Sequence, residues 1–145
     1  MAKTTDPNTI IVVDDEPHNV AWLVDFLELK GFKVNLALSV VDALKLIERE
    51  IFRTLIIDLN IPVADPFQKA IVDRGGVYAK YPGLFVAEKA RNRGYRGRQV
   101  VIYSVHKDVA VAEEASKLGC TYILKGRPKE IKAEIEEVVA YDPTQ

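Results

Sequence analysis

Ile10-Ile11-Val12-Val13-Asp14-Asp15 is the stretch of the sequence that decides the fold. A run of branched aliphatic residues of this length predicts a strand that is buried inside a parallel sheet. A second run, Thr54-Leu55-Ile56-Ile57, is followed by a further acid, Asp58. Because ligand sites in such sheets lie just beyond the carboxyl ends of the strands, we expect Asp14, Asp15 and Asp58 to meet at one edge.

These acids predict a cation site. Carboxylates that lie close together repel one another unless a cation offsets their charge. Oxygen ligands are those that Mg²⁺ prefers in proteins, and Mn²⁺ accepts the same donors. Asp14 and Asp15 could instead only begin a helix, because acids favour the positive end of the helix dipole. We therefore expect Mg²⁺ or Mn²⁺ at Asp14, Asp15 and Asp58, with the helix start as the alternative.

Outward from these strands, apolar runs alternate with amphipathic segments along the chain. Strands are predicted at residues 10–13, 33–38, 54–59, 99–103 and 121–124. Helices are predicted after Asp15, from Ser39, at residues 83–92 and 107–118, and from Pro128. Crossovers between parallel strands are right-handed and place helices on both faces of the sheet. The sequence thus predicts an α/β fold, a doubly wound five-stranded parallel sheet in a single domain, residues 1–145.

Residues 63–82 are the exception to this regular alternation. They occupy a strand-to-helix connection that usually needs about two to six residues. Asp65-Pro66 is typical of a helix cap followed by a first-turn proline, and Phe67, Ala70 and Ile71 then fall at helical spacing. Gly75-Gly76 ends the pattern. We predict an inserted segment with an extra short helix, and the alternative is a mobile surface excursion.

The composition of the chain excludes several classes of function. The chain has 20 Lys and Arg and 21 Asp and Glu, with a net charge of −1, so charge gives no reason to expect binding to nucleic acid or to an anionic membrane. No apolar stretch reaches the length of a membrane span, and residues 1–9 lack the hydrophobic segment of a signal peptide. We expect a cytoplasmic protein. Cys120 is the one cysteine, which excludes an intramolecular disulfide.

Ser104 and Lys125 follow the apolar runs of the fourth and fifth predicted strands. With these residues in place, the chain resembles a response-regulator receiver domain and is similar to the stand-alone chemotaxis receivers. The residues that carry the resemblance are Val13-Asp14-Asp15-Glu16-Pro17, Asp58-Leu59-Asn60-Ile61-Pro62, Ser104, Tyr122 and Lys125. The resemblance covers nearly the whole chain outside residues 63–82. It implies a flavodoxin-like sheet with the strand order 2-1-3-4-5.

The resemblance implies roles in phosphoryl transfer and metal binding. Asp58 would be the phosphoacceptor, a carboxylate nucleophile that attacks phosphorus. Asp15 would bind Mg²⁺ directly, Asp14 would contribute largely through water, and Asn60 would offer its backbone carbonyl, with Asp58 completing the set. Lys125 is a compact cation suited to pair first with Asp58 and then with a phosphoryl oxygen.

The resemblance also implies a signalling function in a two-component system or phosphorelay. Ser104 would donate its hydroxyl to a phosphoryl oxygen, and Ser104 and Tyr122 would pass the change to a bistable surface. The donor would be a histidine kinase or a histidine phosphotransfer protein, and the output would be binding to a downstream protein target. The protein would be a monomer or a phosphorylation-linked homodimer, and it would assist its own phosphotransfer and dephosphorylation rather than act as a metabolic enzyme.

Departures from the family pattern keep other functions open. Gly126 follows Lys125 where the family usually has proline, Val105 follows Ser104 where a smaller residue is common, and His106 is assigned no metal role. Gly126, Val105 and the inserted residues 63–82 favour a pseudo-receiver that acts as a protein-interaction module without phosphorylation. The intact set of Asp14, Asp15, Asp58, Ser104 and Lys125 disfavours it. A third hypothesis is a Mg²⁺-dependent phosphatase with an aspartyl nucleophile, although such enzymes commonly carry Asp-x-Asp at the first strand.

Overall fold

The computed structural model describes residues 3–105, 107–125 and 128–144. The described strands are β1 (Asp6–Val13), β2 (Lys33–Ala37), β3 (Phe52–Asp58), β4 (Val100–Ser104) and β5 (Thr121–Leu124). The described helices are α1 (Ala21–Leu29), α2 (Val40–Arg49), α3 (Gln68–Arg74), α4 (Gly76–Lys80), α5 (Gly83–Arg93), α6 (Val109–Leu118) and α7 (Pro128–Ala140). Short 3-10 turns occur at Pro17–Val20 and Gly97–Gln99. Within these residues, none of the helices has the length and apolarity that crossing a bilayer requires.

The sheet has five strands in the order β2-β1-β3-β4-β5, and every neighbouring pair is parallel. This confirms the doubly wound, flavodoxin-like fold with the strand order 2-1-3-4-5. β1 and β3 are interior strands of the sheet, which explains why residues 10–13 and 55–57 are wholly aliphatic: both faces of the sheet are covered there.

Alternate residues of each strand face different cores. Ile11, Val13, Leu55, Ile57 and Ile102 contribute to the core beneath α2, α5 and α6. Ile10, Val12, Ile56, Val101 and Tyr103 contribute to the core beneath α1 and α7. The period of two along each strand therefore decides which helix layer a side chain meets.

Local chemistry sets the helix ends. The Ser39 hydroxyl accepts a hydrogen bond from the Asp42 amide at 3.1 Å, so α2 begins where the sequence predicted. The Asp108 carboxylate accepts from the Ala110 amide at 2.9 Å and caps α6, which therefore begins two residues later than predicted. β1 begins earlier than predicted because the amides of Thr5 and Asp6 both donate to the carbonyl of Ile51.

The segment of residues 63–82 contains two helices, α3 and α4. The predicted extra helix is present, but it begins at Gln68, so Asp65 does not cap it. The prediction missed α4, because Gly75 and Gly76 end one helix and allow the next to start at once: both have positive φ values, 65° and 58°.

The same segment is packed onto the core. Ile71 is 2% exposed and Tyr78 and Tyr81 are each 4% exposed. The Phe67 ring lies 6.0 Å from the ring of Phe85 on α5 in a tilted arrangement. This packing disfavours the alternative of a surface excursion.

Candidate functional site

The strand register brings the predicted acids together. Val13 of β1 pairs with Ile57 of β3, so the residues that follow them, Asp14 and Asp58, lie side by side at the carboxyl edge of the sheet. Asp15 completes the group, and one carboxylate oxygen from each acid lies within 4.8 Å of the others. The edge is concave: the acids, Asn60, Val105 and Lys125 line an open cleft of about 350 Å³.

The three acids differ in how far their side chains are exposed to solvent. Asp14 is 3% exposed, Asp58 is half-buried and Asp15 is exposed. One Asp14 oxygen, Oδ1, accepts a hydrogen bond from the Glu16 amide at 2.8 Å. The other, Oδ2, is buried and has no hydrogen-bond partner among the described residues. A buried acceptor in this condition is costly unless an ion or water completes it.

Lys125 supplies positive charge to the cluster from the end of β5. Its Nζ donates to Asp58 Oδ1 at 3.2 Å and lies 3.7 Å from Asp14 Oδ2. Its own amide donates to the carbonyl of Ser104 at 2.7 Å, which continues the β4–β5 ladder to the site. The prediction that Lys125 would approach Asp58 therefore corresponds to a direct contact.

The charge of the cluster is not balanced by Lys125. Burial raises the pKa of the Asp58 carboxyl above its ordinary value, Lys125 opposes that rise, and Asp14 adds to it. The net direction is upward, so the ionised form of Asp58 is disfavoured in this arrangement. The cluster would accept further positive charge.

The donor set fits a hard divalent cation. It consists of carboxylate oxygens, the ligands that Mg²⁺ and Mn²⁺ use, and includes the unsatisfied Asp14 Oδ2. The Asn60 residue lines the same cleft, as its predicted role requires. Asp14, Asp15 and Asp58 would hold such an ion, and the use of the Asn60 carbonyl stays a prediction.

Ser104 and Tyr122 lie in two different places. Ser104 ends β4 and is 1% exposed, whereas the next residue, Val105, is 67% exposed and lines the cleft. Tyr122 packs half-buried against the core on the α6 side, where its hydroxyl accepts a hydrogen bond from the Asp108 amide and Tyr81 lies nearby. The predicted roles of Ser104 and Tyr122 in switching stay predictions.

Sequence reasoning missed Tyr103. It reads as an ordinary strand residue, but it pairs in register with Asp58, and its ring centroid lies 4.8 Å from Lys125 Nζ. The one indication in the sequence is that Tyr103 directly precedes Ser104, a predicted site residue. Gly126 and His106, which the sequence analysis discussed, lie outside the described residues.

No family profile and no curated protein sequence matches the chain. Solved structures do match it. A CheY-like response regulator receiver domain protein from Methanospirillum hungatei JF-1 is 20% identical, with coverage of 92% of this chain and 94% of its own, at a TM-score of 0.69. The response regulator TrrA from Thermotoga maritima, in complex with Mg(2+)-BeF, is 20% identical over 90% of this chain and 98% of its own, at 0.66.

A third similar structure is a response regulator from Burkholderia pseudomallei with a phosphorylated aspartic acid, a calcium ion and citrate. It is 20% identical, with coverage of 90% of this chain and 71% of its own, at a TM-score of 0.63. Likeness at this level of identity shows the fold. The chain has the fold of response-regulator receiver domains.

Proposed function

We propose that this protein is a phosphoacceptor response regulator in which Asp58 takes a phosphoryl group from a histidine kinase or a histidine phosphotransfer protein. The observation that carries the proposal is the direct pairing of Lys125 Nζ with Asp58 Oδ1 at 3.2 Å, in a cleft with Asp14 and Asp15. The similar structures with Mg(2+)-BeF or a phosphorylated aspartic acid support the same reading.

The transfer would be a displacement at phosphorus. An Asp58 carboxylate oxygen forms the new P–O bond while the P–N bond of the donor phosphohistidine breaks, and its electron pair returns to the ring nitrogen. Lys125 then moves its ammonium from the carboxylate to a phosphoryl oxygen. A bound Mg²⁺ would offset the repulsion among the acids and neutralise charge that develops on the phosphoryl group.

Output would follow from changes around β4 and β5. Ser104, at the end of β4, would donate its hydroxyl to a phosphoryl oxygen and draw the strand end inward. Tyr122 packs half-buried on the α6 side of β5, where its hydroxyl meets the Asp108 amide, so a change in its position would alter the surface formed by β5 and the start of α6. We propose that a downstream protein, or a second copy of the chain, binds at the face formed by α6, β5 and α7.

We also propose that residues 63–82 are an insertion that braces this output face. Arg74 forms a bidentate ion pair with Glu88 of α5. Tyr78 donates to Glu114 of α6 at 2.6 Å. The segment therefore bridges both helices. Deletion of residues 63–76 should leave a cooperative fold with lower stability and altered phosphoryl lifetime or partner choice, and a loss of cooperative unfolding would show that the segment is part of the essential core.

Intact mass after incubation with acetyl phosphate and Mg²⁺ tests the main proposal. We expect one phosphoryl adduct on the parent protein and on the control Asp65→Asn, which removes an exposed acid of the inserted segment. We expect none on Asp58→Asn, and none on the parent when the metal is chelated. An adduct that persists in Asp58→Asn would contradict the assignment of the acceptor.

A pseudo-receiver is the second candidate, and the position of Val105 favours it. Its exposed side chain lines the cleft and narrows the approach to Asp58. No adduct on a parent protein that binds Mg²⁺ would indicate a donor-selective or closed site. No adduct together with no Mg²⁺ binding would support a protein-interaction module that works without phosphorylation.

A further inference from the structure

Tyr103 stands beside the candidate acceptor on the neighbouring strand. It is the residue of β4 that pairs in register with Asp58 of β3. Paired residues of adjacent parallel strands point to the same face of the sheet, so the phenol ring lies on the Asp58 side. The ring is 4% exposed and packs in the core beneath α1 and α7, which fixes its position.

The ring also contacts the ammonium that serves the acceptor. Lys125 Nζ lies 4.8 Å from the Tyr103 ring centroid, 3.2 Å from Asp58 Oδ1 and 3.7 Å from Asp14 Oδ2. A cation at this distance is attracted by the negative face of the ring. The three groups surround an ammonium whose side chain is only 20% exposed.

The contacts of Lys125 decide where its ammonium lies, because the head group of a lysine stands at the end of a flexible four-carbon stem. Of those contacts, the Tyr103 ring is the one that neither titrates with the acids nor changes on phosphorylation. Burial, with Asp14 and Asp58 adding to it, raises the pKa of Tyr103 to about 12, so the phenol stays neutral.

We propose that Tyr103 is a positioning residue for Lys125: the face of its ring holds the ammonium between Asp58 and Asp14, where it meets the phosphoryl group. The proposal rests on the phosphoacceptor function described above for its kinetic consequence, but not for the contact itself. A leucine at this position would keep an apolar side chain in the core, but it would offer no negative ring face to the cation.

The contact is tested first without any phosphoryl donor. In protein labelled at the lysine ε-carbons, the ε-methylene resonance of Lys125, assigned by its disappearance in Lys125→Ala, should be shifted upfield by the ring current of Tyr103. The shift should persist in Tyr103→Phe, which keeps the ring, and vanish in Tyr103→Leu. A Lys125 resonance that coincides with those of exposed lysines in the parent would overturn the proposal, and this reading needs no variant of Tyr103 to fold.

The consequence is tested by the rate of phosphorylation from acetyl phosphate at saturating Mg²⁺. Tyr103→Leu should slow the reaction by about 2-fold to 30-fold, the range that a cation–π contact supplies, and Tyr103→Phe should restore the rate. In a Lys125→Ala background, the Tyr103→Leu change should have no further effect, because the group it positions is gone.

Equal slowing by Tyr103→Leu with and without Lys125 would show a packing role and overturn the proposal, as would a Tyr103→Phe variant as slow as Tyr103→Leu. If the parent takes up no phosphoryl group while the ring-current shift is present, the phosphoacceptor function fails and the contact stands. If the parent is phosphorylated and the ring-current shift is absent, the positioning role of Tyr103 fails and the phosphoacceptor function stands.

Discussion

Gly83 packs directly against the backbone of Asp58: a Cβ atom on Gly83 would lie 2.2 Å from the Asp58 carbonyl oxygen. The Gly83 amide also donates to the Leu59 carbonyl at 2.9 Å. The chain that leaves β3 at Leu59 thus returns to it after residues 63–82. The start of α5 is therefore held against Asp58 itself, and this geometry requires that residue 83 has no side chain.

Gly83→Ala should therefore destabilise the protein by about 1–3 kcal/mol, because the clash is with backbone that cannot rotate away. Urea unfolding measures the loss. Gly31→Ala is the control: it meets nothing within 4 Å, and its positive φ of 96° should cost about 1 kcal/mol. A loss of less than about 1 kcal/mol in Gly83→Ala would contradict the close approach.

Asp58→Asn should be more stable than the parent in the absence of divalent cations, because burial and Asp14 disfavour the ionised carboxyl. Mg²⁺ should reverse the order by binding the folded parent, with a gain of about 2.7 kcal/mol at one hundred times its Kd. Thermal unfolding with and without Mg²⁺ measures both effects. If Mg²⁺ changes the melting temperature of neither protein, the proposed metal site is wrong.

The Tyr81 hydroxyl donates to Asp108 Oδ2 at 3.3 Å and connects residues 63–82 to the N-cap of α6. Tyr81→Phe should cost about 0.5–1.5 kcal/mol, the range of a typical hydrogen bond. Asp108→Ala should cost more, because the same carboxylate caps α6 through the Ala110 amide. Urea unfolding of the two single variants and the double variant gives the coupling free energy between Tyr81 and Asp108. If the losses of the two single variants simply add in the double variant, the contact contributes nothing measurable to stability.

The ion pair between Arg74 and Glu88 should make stability depend on pH. The hydrogen bonds that Arg74 donates to the Glu88 carboxylate lower the pKa of that carboxyl in the folded state. A lowered folded-state pKa means that the contribution is complete above the ordinary glutamate range, about 4.3, and is lost as pH falls through the lower folded value. Because the Arg74 side chain is 40% exposed, the contribution should be at most about 1 kcal/mol.

Glu88→Gln provides the measurement for that pair. The difference in unfolding free energy between the parent and Glu88→Gln should be largest near neutral pH and shrink in acid, and added salt should reduce it. A difference that grows as pH falls would contradict the sign of the shift.

Local sequence determined the frame of the protein. The aliphatic runs before Asp14 and Asp58 form buried interior strands of the parallel sheet, as the sequence predicts, and the Ser39 cap sets where α2 begins. These features depend on neighbouring residues and on burial, which the chain records directly. The edge at which the acids meet followed from the same pattern, because parallel strands end together.

Contacts between residues that are distant in the sequence could be identified only from the tertiary structure. The pairing of Lys125 with both Asp58 and Asp14 and the unsatisfied Asp14 Oδ2 depend on exact distances across three strands. Tyr103 follows three apolar strand residues and looks like a core residue in the sequence, and only the β3–β4 register places its ring beside Asp58. A strand's periodicity fixes the face on which a side chain lies, whereas its partner is fixed by register and packing, and no local pattern encodes these.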